Sequence, residues 1–293
     1  MLHKSDHCLN CGEPTPDQFC ARCGQKNTQY LVSFRELVEE LISELLQLDS
    51  RIGRTIVPFL FQPGKLTNEF AAGRRVKYSS PLRLYLLTSV AYFFVLSLLA
   101  PVYVNVNVPP AETGAPSVTT ATWDNLERLS PADRKQFIHQ ETAGLSDYGF
   151  LGNQLRAKID ELGELGAEKI DQKLSLGISN KMPKAMFFLL PLFALILKVL
   201  FLGSKRYYIE HFVFALHFHS FCFVVLLIPA LLPSGPFSSM ATIGIVVYLL
   251  VALHRVYGRS WLSSIAKYMA LLASYGTLLG LSVATLIILT ILF

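Results

Sequence analysis

Charged residues are scarce in this chain. Only 16% of its 293 residues are Asp, Glu, Lys or Arg, where a soluble domain carries about 25%. The deficit is concentrated in residues 184–293, which hold seven Lys or Arg and a single acid, Glu210. Water is thereby excluded as the sole solvent of that region, and lipid is implied. Chemical signatures are missing as well. No Walker loop, nucleophile elbow, HExxH or paired-carboxylate pattern occurs, which counts against an enzyme. The polar stretch 1–17 lacks an apolar core, so no cleavable signal peptide is expected and insertion falls to an internal segment. Cysteine is sparse, with five in all, and four of these lie between positions 8 and 23.

What is present in quantity is apolar sequence. Five runs, at residues 84–104, 184–202, 212–232, 240–256 and 265–293, can each cross a hydrocarbon core of about 30 Å. Helices are the expected form, because backbone polar groups in lipid must be satisfied within the segment. The fifth run is long enough to tilt, or to bend at Gly276 or Gly280. The chain therefore reads as an all-α integral membrane protein, a bundle of about five transmembrane helices with a small N-terminal zinc ribbon. Its expected division is a ribbon at 1–30, amphipathic and interfacial helices at 31–83, a first span at 84–104, an extracytoplasmic linker and helical segment at 105–183, and spans two to five at 184–293.

Basic residues set the expected orientation. Arg51, Arg54, Lys65, Arg74, Arg75, Lys77 and Arg83 precede the first span, Lys205 and Arg206 follow the second, and Arg255, Arg259 and Lys267 follow the fourth. The loop after the third, residues 233–239, has no charge. All three basic regions share one side if the N-terminus is cytoplasmic and the C-terminus outside. Outside then lies a Pro-, Thr- and Ala-rich linker at 109–122, followed by a helix starting at Ser130-Pro131-Ala132-Asp133. A partial apolar stripe follows at Leu155, Ile159, Leu162, Ile170 and Leu174, weakened by Gly163 and Gly166. Inside, Phe34 to Leu48 has the spacing of an acidic amphipathic helix, expected to pack on protein because anionic lipid would repel it. Residues 52–61, flanked by Arg51, Arg54 and Lys65, read as interfacial.

The strongest motif is Cys8-Leu9-Asn10-Cys11-Gly12 followed by Cys20-Ala21-Arg22-Cys23-Gly24. Two residues between cysteines let one tight turn aim both thiolates at one metal, and two such turns complete a zinc tetrahedron. The glycine after each pair permits the backbone to curl so that amides approach the sulfurs. The competing reading is two disulfides, which conflicts with a reducing cytoplasmic side. Four thiolates fill the coordination sphere, so the zinc is expected to be structural. Nucleic-acid binding is disfavoured, because Lys4, Arg22 and Lys26 make a thin basic patch.

Other candidates are weaker. His211, His217 and His219 lie near or within the third span and His254 on the fourth. Ionisable groups at membrane depth raise a functional hypothesis, a polar or metal site, against the plainer reading of neutral interhelical hydrogen bonding. No two of the third-span histidines are spaced i,i+4, so one helix alone cannot chelate a metal with them. Arg74, Arg75 and Lys77 before Pro81 are expected to set topology and touch headgroups, or alternatively to take a specific phospholipid or phosphate-bearing ligand. Lys198 is expected to snorkel and Cys222 to be packing.

Several fragments together carry a family likeness: the CxxCG pair, Leu48-Asp49-Ser50-Arg51 with Thr55, Gln62-Pro63-Gly64, Gly73-Arg74-Arg75 with Tyr78 and Pro81, and Tyr207-Tyr208-Ile209-Glu210-His211 leading to Ala215-Leu216-His217. On these the chain resembles a bacterial domain-of-unknown-function family of membrane proteins with an N-terminal CxxC…CxxC zinc ribbon. The likeness covers the N-terminal hundred or so residues and spans two to five, with 105–182 as the variable part. It implies the ribbon and the topology and brings no activity. The functional expectation is a non-enzymatic, multi-pass protein of the bacterial inner membrane. Its ribbon would recruit or sense a protein partner, while the bundle contacts lipid as anchor or passes a lipidic or small solute. The alternatives are a membrane-embedded metal or redox enzyme using the four histidines, and a membrane-tethered nucleic-acid-binding ribbon.

Overall fold

Long apolar runs bounded by polar, aromatic or proline-containing turns become helices, and the computed structural model describes residues 6–27, 51–104, 131–163, 167–232 and 235–292. In chain order the helices are α1 (Arg51–Phe61), α2 (Lys65–Ala71), α3 (Pro81–Val104), α4 (Pro131–Glu141), a 3₁₀ turn (Ala143–Tyr148), α5 (Gly149–Gly163), α6 (Ala167–Leu200), α7 (Tyr208–Leu231), α8 (Gly235–Tyr257) and α9 (Trp261–Leu292). Among the described residues the only β structure is two isolated bridges near the N-terminus. The expected acidic helix from Phe34 to Leu48 and the linker at 109–122 lie outside the described residues.

Five helices are long and apolar enough to cross a membrane: Pro81–Leu99, Lys181–Leu200, Tyr208–Leu231, Gly235–Tyr257 and Trp261–Thr290. Their number matches the sequence reading, but all five begin earlier than hydropathy alone implied. A helix's first turn needs a cap, not apolar side chains. Glu210 supplies one by accepting the Tyr207 amide at 2.8 Å, and Pro81 suits a first helical position. The boundary expected at 183/184 falls inside α6, whose 34 residues extend about 50 Å, well beyond one hydrocarbon thickness.

The chain divides into two compact units, one of Met1–Leu98 with Met186–Gly276 and one of Leu99–Ala185 with Thr277–Phe293. In the first, α7 is the central element: 61% of its spanning window is buried, against 11% for α9. A helix apolar all round is suited to that place. Aromatic rings tie its neighbours to it. Phe221 stacks on Tyr248 of α8, Phe218 stacks on Phe193 of α6, and Phe223 meets Tyr85 and Tyr92 of α3. Phe59 of α1 contacts Phe221, and Tyr275 of α9 meets His219. Such pairs contribute about 0.5–1.5 kcal/mol each beyond burial, which matters where lipid weakens the hydrophobic drive between helices.

The three basic regions meet at one end of this unit. Arg206 donates to Glu210, to Asn68 of α2 and to the Val256 carbonyl. Arg259 donates to the Gly203 carbonyl, Lys198 to the Arg206 carbonyl and Lys267 to the Leu200 carbonyl. Lys198 thus reaches the end of its span, and Cys222 packs against the aromatic core. In the second unit, α4, the 3₁₀ turn and α5 form a small hairpin with Arg156 hydrogen-bonded to His139. Lys181 of α6 there donates to the carbonyl of Leu289 and the hydroxyl of Thr290 on α9.

Candidate metal centre

The N-terminal segment is too short for a hydrophobic core, so its form comes from two turns of the same design. Cys8 N–H donates to the Glu13 carbonyl and Gly12 N–H to the Cys8 carbonyl; twelve residues on, Cys20 N–H donates to the Gln25 carbonyl and Gly24 N–H to the Cys20 carbonyl. Gly12 and Gly24 take φ of 78° and 71°, the left-handed region that side chains disfavour. His7 bridges Pro14, and Phe19 bridges Lys26, closing each turn.

The two turns face each other through sulfur. The Cys8 and Cys23 Sγ atoms lie 3.5 Å apart and those of Cys11 and Cys20 3.6 Å apart, with all four within 4.8 Å of one another. A tetrahedral zinc with bonds of 2.3 Å requires sulfurs about 3.8 Å apart, whereas a disulfide requires about 2.0 Å. None of the described cysteines is disulfide-bonded. The quartet fits one divalent metal ion and leaves no ligand position open. Backbone amides support the charge: those of Cys23 and then Arg22 bring the Cys20 thiol down to about 6, against the raising effect of burial. At Cys8 burial dominates and pushes the thiol up, opposed by the amides of Cys11 and Asn10. Four close sulfurs cannot all ionise alone, and a bound dication removes that repulsion.

The ribbon is seated on the loop after α2. The buried Gln25 side chain donates to the Gly73 carbonyl at 2.8 Å and accepts the Arg75 amide at 3.2 Å, acting as a short piece of strand edge. Gly73 has φ 78°, and a Cβ there would lie 2.7 Å from Leu9 Cδ1, so the close approach requires glycine. Sequence reasoning singled out Gly73 as part of a motif but did not find Leu9 or Gln25. A lone Gln after a CxxCG turn carries no periodic signal.

The other candidate residues are distributed. Arg74 makes a bidentate pair with Glu69, at 2.6 and 3.0 Å. That pair holds the Glu69 carboxyl below its ordinary range and raises Arg74. The Arg75 guanidinium lies over Phe70, and Lys77 over Tyr78. The four histidines do not share partners: His211 meets the Tyr257 hydroxyl, His217 the Thr67 hydroxyl, His219 the Tyr275 hydroxyl and its own helix carbonyl at Ala215, and His254 stacks on Trp261 beside Ser264. Among the described residues, the four cysteines are the only place where three or more metal-ligating side chains converge.

Residues 49–93 match the profile of a family described as a protein of unknown function, DUF3667. The matched stretch takes in α1, α2, the loop that seats the ribbon, and half of α3, a narrower span than the likeness read from the sequence. No curated protein and no solved structure matches the chain. Within the stretch, Thr55 and Tyr78 are buried, and the Thr55 hydroxyl accepts the Ser79 amide at 2.9 Å.

Proposed function

We propose that this chain is a non-enzymatic, multi-pass protein of the bacterial inner membrane whose zinc-loaded ribbon recruits a cytoplasmic protein partner, with the helix bundle as its anchor and lipid-facing body. The observation that carries the reading is the seating of a closed four-thiolate cluster on the Gly73–Arg75 loop through Gln25. A saturated site can hold a fold but offers no position for substrate. Metal binding would therefore act on shape, keeping the ribbon's outer face presented above the bundle. The ribbon's surface carries Phe19, 57% exposed, and the Arg22–Glu13 pair, a composition suited to a protein contact.

The orientation follows the positive-inside tendency. The three basic regions meet at the end of the bundle that also seats the ribbon, and a reducing compartment would keep the thiols available for zinc. On α1, the exposed Ile56, Val57 and Phe61 beside Arg51, Arg54 and Lys65 suit the membrane interface. No arrangement of the histidines favours a membrane metal enzyme, and Arg22 is already paired, which weakens a nucleic-acid surface.

The test is metal analysis with co-purification. Purified protein should hold one zinc per chain, absent from Cys8→Ser/Cys11→Ser, and cross-linking in native membranes should capture a partner that the Phe19→Ser variant loses. An N-terminus reached by an impermeant label from outside the cell would overturn the orientation, and a partner retained by both variants would overturn recruitment by the ribbon.

A further inference from the structure

We infer that the ribbon is a metal-dependent latch on the loop after α2. With its four sulfurs held by one ion it clamps Gly73–Arg75, and with the ion gone it lets that segment go. The latch rests on the ribbon holding zinc, as proposed above, and adds what the occupancy of that site controls.

Both cysteine turns reach the same residue. Leu9, between Cys8 and Cys11, packs on Gly73, where a Cβ would lie 2.7 Å from Leu9 Cδ1. Gln25, two residues after Cys23, is buried, and its side-chain amide donates to the Gly73 carbonyl and accepts the Arg75 amide. The Gln25 backbone belongs to the frame of the metal site, because its carbonyl accepts the Cys20 amide at 2.8 Å. One turn thus supplies an apolar contact and the other a pair of hydrogen bonds. The two meet at Gly73 only while the turns keep one separation.

That separation is set chiefly by the metal. Across the gap between the turns the sulfurs face each other, Cys8 with Cys23 and Cys11 with Cys20. Further ties are the solvent-exposed Arg22–Glu13 pair and the Asn27 side chain on the Thr15 carbonyl. An exposed ion pair adds little and a single hydrogen bond only modestly more. Four metal–thiolate bonds, by contrast, supply the folding energy of such a segment.

The loop is built to respond locally. Its start is held by α2, where the Arg74 amide donates to the Glu69 carbonyl at 3.0 Å. Its end is held by α1, where the Thr55 hydroxyl accepts the Ser79 amide. Release of Gln25 hands the Gly73 carbonyl and the Arg75 amide to water, a change that a surface loop tolerates. The segment runs on to Pro81, the first residue of α3, so metal occupancy is felt at the start of the first membrane-length helix.

Full-length, metal-loaded protein in dodecyl maltoside micelles is compared with the same protein stripped by a zinc chelator. Amide exchange is followed by mass spectrometry at residues 73–80, with Tyr208–Leu231 as internal control. Stripping should speed exchange at 73–80 roughly tenfold in the wild type, as expected for lost hydrogen bonds, with the control unchanged and zinc re-addition restoring slow exchange. Gln25→Ala keeps the carbonyl that accepts the Cys20 amide, so it should retain its metal and exchange fast even when loaded. Stripping should then change it by less than about twofold, because the two perturbations act through one contact. Leu9→Ala carries the comparison should Gln25→Ala lose the metal. A loop indifferent to stripping overturns the latch and leaves the metal centre standing. An equal response in wild type and variant also overturns it, as does a control that opens together with the loop. Purified protein without metal overturns the ribbon reading and the latch together.

Discussion

The ribbon and the central helix both carry residue types that bind metals, and they use them in opposite ways. In the ribbon four cysteines converge until their sulfurs lie within 4.8 Å. On α7 and α8 four histidines diverge, each to its own hydroxyl or ring partner. The difference is one of supply. The ribbon has no core, so only a shared metal can organise it. The bundle has abundant aromatic packing, and there an imidazole serves as a polar pin between helices, holding a hydroxyl through one ring nitrogen, as His211 does with Tyr257 through Nδ1.

The largest effect should come from breaking the convergent set. Cys8→Ser/Cys11→Ser removes two of four ligands, and structural zinc sites of this kind supply about 10–16 kcal/mol of apparent binding energy. Elemental analysis should find the metal gone, and limited proteolysis should cut within residues 6–27, while the helix content of the bundle persists. A metal that survives this variant would break the comparison at once.

Next come the pins. His211→Ala leaves the Tyr257 hydroxyl without the partner it has at 2.6 Å and opens a hole at a fully buried position. A loss of about 2–4 kcal/mol is expected, read as a lower melting temperature with metal content unchanged. Metal lost together with His211, or with His217 in the parallel variant, would show that the histidines coordinate after all.

Smaller again is the joint between the two regions. Gln25→Ala should strand the Gly73 carbonyl and the Arg75 amide and cost about 1–3 kcal/mol of docking, visible as faster amide exchange at residues 73–75 with the metal retained. Gly73→Ala should do more, since positive φ and Leu9 both oppose a side chain. Equal exchange in the wild type and both variants would mean that the ribbon is not held by this contact.

The smallest effect is electrostatic. Arg74 depresses the Glu69 carboxyl, so the pair stabilises the loop above the ordinary carboxyl pKa of 4.5, and this is lost as pH falls through the lowered folded value. For a partly exposed pair the amount is about 0.2–1 kcal/mol. Glu69→Gln should remove that acid dependence of loop exchange; a variant with the same pH profile would assign it elsewhere. Metal retention should also fall on acidification, because protons compete for the thiolates.

Much of this architecture was legible before any coordinates. Spans are visible in sequence because lipid admits few charges over about 20 residues, and the CxxCG pair is visible because a metal needs its ligands at short, fixed spacing. Helix starts were less legible, as at Tyr208 and Trp261, because capping is local chemistry that hydropathy averages away. The roles of Tyr207-Tyr208-Ile209-Glu210-His211 were hidden too: Glu210 caps α7 and pairs with Arg206, while His211 reaches a tyrosine on another helix.

The sequence by itself determined the number of helices long and apolar enough to cross a membrane and the four thiols of the candidate metal centre. Each of these depends on composition or on spacing within a few residues. Only the tertiary structure decided which face the ribbon rests on, that the four histidines part company, and that Leu9 and Gln25 meet at Gly73. Those outcomes depend on pairs such as Gln25 with Gly73 and Thr67 with His217, far apart along the chain. No local pattern encodes which distant partner will satisfy a buried polar group; packing selects it.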